Sequence, residues 1–77
     1  LDLAYKALMV DGSATIAYNA ADEVAVNAFM ECIIPYSKIS EIVKRTIEDP
    51  IFKEKVSTYE ETMEKDRIAR IIARNAL

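Results

Sequence analysis

The chain has 77 residues, 52% of them hydrophobic and 30% charged. That is ordinary for a soluble globular domain, but a domain this small buries only about 60–65% of its unfolded surface, which favours a piece of a larger assembly. Ten bases stand against thirteen acids, for a net charge of −3, and residues 1–35 hold one Lys against five acids, a balance that argues against non-specific nucleic-acid binding. The absence of His and the lone Cys32 exclude an internal disulfide and the usual zinc spacings, and no apolar run approaches the ~20 residues of a membrane helix.

Leu1 to Val10 is predicted as a first helix with Leu1, Ala4, Tyr5 and Leu8 on one face, stopped by Gly12. The chain opens inside an element, as the edge of an ordered region does. Asp11-Gly12-Ser13 has turn chemistry and lacks the alternating oxygen ligands of a calcium loop. A second helix is expected from Asn19, a favoured N-cap residue, to Cys32, with Asp22 and Glu23 meeting the positive end of its dipole. At 3.6 residues per turn, Ala21, Val24, Ala25, Ala28, Phe29 and Cys32 fall on one face, where the alanines let another helix come close. The opposite stripe holds Asn19, Asp22, Glu23 and Asn27, interrupted by Val26 and Met30. A helix apolar on both sides is expected to be covered on both.

Ile33 to Tyr36 is predicted extended because Pro35 cannot prolong a helix. Ser37 is a suitable N-cap for a third helix, with Ile39, Ile42, Val43, Thr46 and Ile47 on its apolar face and Pro50 stopping it near Asp49. Ile51 to Ser57 is of mixed character, a loop or a helical turn. Thr58 and Glu61 have the Thr-x-x-Glu spacing of a capping box opening a fourth helix towards Asn75. Glu60, Glu61 and Glu64 lie early in it and Arg67, Arg70 and Arg74 late, matching the dipole, and Glu61–Lys65 and Asp66–Arg70 have i,i+4 spacing. Tyr59, Met63, Ala69, Ile72, Ala73 and Ala76 are assigned to its inward side. The fold class is all-α, a small four-helix bundle.

Few residues suggest chemistry. Arg67, Arg70 and Arg74 could hold a phosphate, but interspersed acids and their place at a helix end favour a solvated face. Asp22 and Glu23 are neighbours about 100° apart on a helix and do not converge on one atom, so capping outweighs metal binding or acid–base work. Cys32 has no His or second Cys to activate it and reads as a small core residue. No glycine-rich phosphate loop or Ser–His–Asp set occurs. An acidic carrier protein would present Asp-Ser-Leu at the start of its second helix, where this chain has Ala20-Ala21-Asp22-Glu23.

Asn19-Ala20-Ala21-Asp22-Glu23-Val24-Ala25-Val26, followed by Ala28-Phe29, resembles the Asn-Ala-Ala-Asn-Glu-Val-Ala-Val-x-Ala-Phe signature of the 1-deoxy-D-xylulose 5-phosphate reductoisomerase family, within its C-terminal helical domain. Leu1 to Leu8 resembles the Leu-Asp-Leu-Ala-Tyr-x-Ala-Leu opening of that domain. Ile33 to Val43 and Thr58 to Arg70 resemble its later passages, while Asp22, Tyr18 and Ile16 stand where the family usually has Asn, Leu and Pro. The resemblance implies a parent that rearranges 1-deoxy-D-xylulose 5-phosphate and reduces the product with NADPH to 2-C-methyl-D-erythritol 4-phosphate, using a divalent metal (Mg or Mn), on the non-mevalonate route to isoprenoid precursors. It implies a homodimer of the bacterial cytoplasm or a plastid, whose NADPH motif and metal carboxylates lie in other domains. No catalytic, cofactor-binding or metal residue is therefore assigned to this chain, which is expected to be a non-catalytic support domain. Asn19, Asp22, Glu23, Val26 and Met30 are the expected contact with the rest of that enzyme. The other reading is a free-standing helical protein-interaction module.

Overall fold

The computed structural model describes residues 12–77. The predicted first helix, Leu1 to Val10, lies outside the described residues. Within them are three α-helices, α1 (Ala14–Met30), α2 (Lys38–Ile47) and α3 (Tyr59–Asn75), with a 3-10 helix at Pro50–Lys53 between the last two and no strand.

Central helix α1 packs against both α2 and α3. Its buried side is almost entirely alanine: Ala14, Ala17, Ala20, Ala21, Ala25 and Ala28 are all inaccessible, with Val24 among them. Ala69 and Ala73 of α3 are also fully buried. Small residues on both helices let the two backbones come close. Bulk is supplied from elsewhere. Ile34, Ile42, Val43 and Ala73 close one core cluster around Ala21, Val24, Ala25 and Ala28, while Phe52 sits with Ala17, Ala20 and Ala69 in a second. Among the described residues Phe52 is the largest fully buried side chain.

The central helix starts five residues earlier than Asn19, at Ala14, with Ser13 in the N-cap position. Nothing in residues 14–18 breaks a helix, and the true start is fixed by distant partners: the Ser13 N–H donates to the Phe52 carbonyl at 3.0 Å and its hydroxyl to the Glu54 carbonyl at 2.9 Å. Asn19 is thus an exposed interior residue rather than a cap, and no acid occupies the first turn. Gly12 lies where a Cβ would meet the Phe52 and Lys53 carbonyl oxygens at 2.9 Å, so a close backbone approach requires it.

The helix also ends earlier, at Met30. Cys32 takes a φ of 63° and is exposed, which corrects its assignment to the core. Its N–H donates to the Phe29 carbonyl at 3.0 Å and that of Ile33 to the Ala28 carbonyl at 2.8 Å. This is a Schellman ending, with cysteine in the position usually held by glycine. Residues 33–36, predicted extended, form bends and turns that carry Ile34 inward and set the Tyr36 ring edge-on to Phe29 at 5.5 Å.

The α2 face is as predicted, with Ile42, Val43 and Thr46 buried and Ile39 and Ile47 beside them. Ser37 occupies its N-cap position without a side-chain cap bond, and the helix stops at Ile47. Only the first part of the mixed segment, to Lys53, forms a 3-10 helix, which begins at Pro50 with the Asp49 carboxylate accepting from the Ile51 N–H at 3.0 Å; residues 54–57 are not helical. The Thr58–Glu61 capping box at the head of α3 forms in both directions. Two residues assigned to the inward side of α3 point outward. Tyr59 and Met63 are 74% and 52% exposed, because the buried line runs through Lys65, Ala69 and Ala73 and Met63 lies more than about 100° round the helix from it.

Candidate functional site

The outer side of α1 is the surface that sequence reasoning singled out, and its geometry follows from the alanine seam. Burying Ala17, Ala21, Val24 and Ala28 turns the opposite line outward, at Asn19, Val26 and Met30. Asn19 is exposed and Asp22 half-buried; Val26 is 37% and Met30 72% exposed. Glu23 is exposed but engaged, accepting from Arg70 of α3 at 3.1 Å. The stripe therefore has a polar upper half, partly tied into the domain, and an apolar lower half left in solvent.

Beyond Met30 the turn adds two residues that the sequence pattern missed. Ile33 is 60% and Tyr36 73% exposed. Ile33 lines the groove between α1 and α3, and Tyr36 rests against Phe29.

Two arginines of the basic stripe form ion pairs. Arg67 pairs with Glu64 one turn earlier, while Arg70 donates to Asp66 at 2.8 Å as well as to Glu23. Asp66 first, then Glu23, raise the Arg70 pKa above its already high ordinary value. Arg70 is thus not part of a solvated face but a strap between α1 and α3. The Glu61–Lys65 pair does not form. Glu61 instead accepts from the Ser57 and Thr58 backbone N–H groups, and the largely buried Lys65 reaches Glu54 at 2.6 Å. A groove of about 320 Å³ between α1 and α3 is walled by Glu23, Asn27, Glu31, Arg70 and Arg74, and its two acids offset its two guanidinium groups.

The one glycine abuts two backbone carbonyls, and among the described residues no three His, Cys, Asp or Glu side chains gather. No helix among the described residues is long and apolar enough to cross a membrane.

Residues 1–72 match the DXP reductoisomerase C-terminal domain family. The chain is 35% identical over its whole length to a 1-deoxy-D-xylulose 5-phosphate reductoisomerase of Nitrosospira multiformis, and 40% identical over its whole length to that of Thermodesulfovibrio yellowstonii. It is 43% identical over 91% of its length to that of Desulforamulus reducens. It spans about a fifth of the length of these relatives. No solved structure matches it. A match over nearly the whole chain, on a helical domain whose central helix carries the signature, means that the chain belongs to the DXP reductoisomerase C-terminal domain family.

Proposed function

We propose that this domain braces the catalytic part of a 1-deoxy-D-xylulose 5-phosphate reductoisomerase without itself touching substrate. The rest of that enzyme converts 1-deoxy-D-xylulose 5-phosphate to 2-C-methyl-D-erythritol 4-phosphate, and it holds the NADPH and the divalent metal. The proposal includes residues 1–10 as the remaining helix of a four-helix bundle, a homodimeric enzyme, and a soluble location in the bacterial cytoplasm or a plastid. The domain's part is mechanical, offering the outer stripe of α1, Asn19, Asp22, Glu23, Val26 and Met30, to its neighbour. Family membership weighs against the free-standing adaptor.

The observation that carries the reading is that Val26 and Met30 stand in solvent on the side of α1 opposite its alanine seam. Changing both to Gln tests it. In the 77-residue chain the pair of changes should cost less than about 1 kcal/mol, as surface changes do. In a full-length reductoisomerase carrying this domain it should lower the melting temperature or the activity. A loss of several kcal/mol in the 77-residue chain would show instead that Val26 and Met30 are covered within the domain.

A further inference from the structure

We draw no further inference here: the strongest candidate, the exposed patch of Tyr59 and Met63 on the outer face of α3, is an unpartnered apolar surface, and nothing in the structure shows what covers it.

Discussion

Replacing Cys32 with glycine should make the domain more stable. The residue sits at the left-handed position of a helix ending with φ 63°, a conformation costing roughly 1–2 kcal/mol for a residue that has a Cβ. Glycine removes that cost but is freer in the unfolded chain, which returns about 0.5–1 kcal/mol. Because Cys32 is exposed, deleting its side chain forfeits little burial, and both hydrogen bonds of the ending use backbone atoms that glycine also has. The net expectation is a gain of about 0.5–1 kcal/mol, or a rise of several degrees in the melting temperature at about 4–8 °C per kcal/mol for a domain of this size. Urea melts of the 77-residue chain should show a higher midpoint with an unchanged slope. Cys32→Ala is the control, since it removes the sulfur and keeps the Cβ, and it should leave the midpoint almost where it was. If alanine raised the midpoint as far as glycine, or if glycine lowered it, the strain argument would be wrong.

Thr58→Ala should cost about 1 kcal/mol in denaturant melts, more than Thr62→Ala, because Thr58 caps the Glu61 N–H whereas Thr62 only back-bonds to a helix carbonyl. The Glu61 carboxyl is held below its ordinary range, chiefly by the Ser57 N–H and then by the Ser57 hydroxyl. A depressed folded-state pKa means stability that is present above the unfolded value of about 4.3 and is lost as the pH falls through the folded one, so Glu61→Gln should flatten the acid side of a stability–pH curve. Gly12→Ala should destabilise by about 1–3 kcal/mol, since its Cβ meets two backbone carbonyl oxygens that no rotamer change can move. A melt indistinguishable from the unsubstituted chain would mean that this junction is looser than described.

What was legible in the sequence was what neighbouring residues decide among themselves. The capping box of α3 and the apolar face of α2 depend on spacings of three and four, and both form as read. The outward placement of Val26 and Met30 followed from the same periodicity. The α1 start depended on Ser13 finding the carbonyls of residues 52 and 54, some forty positions away, and Asn19 looked the better cap only because its partners could have been local. Cys32 was assigned to the core because its angular position suited a helix that had in fact ended two residues before. That ending, beyond which Ile33 and Tyr36 stand exposed, uses a cysteine where a glycine would have announced it. Lys65 has the spacing to pair with Glu61, but a buried ammonium favours the carboxylate that the loop delivers, at Glu54.

The junction of Gly12 and Ser13 with residues 52–54 also bears on the order in which the chain assembles. Its two hydrogen bonds tie off a ring of about forty residues that contains α1 and α2, and Lys65 then attaches α3 to the same strip of backbone. Closing a ring of that length costs roughly 3 kcal/mol in chain entropy before either bond contributes, so these contacts are expected to form after α1 and α2 have paired. A side chain at position 12 would then act mainly on the lifetime of the folded state, letting the ring reopen sooner, while the speed of the first pairing stayed almost as it was.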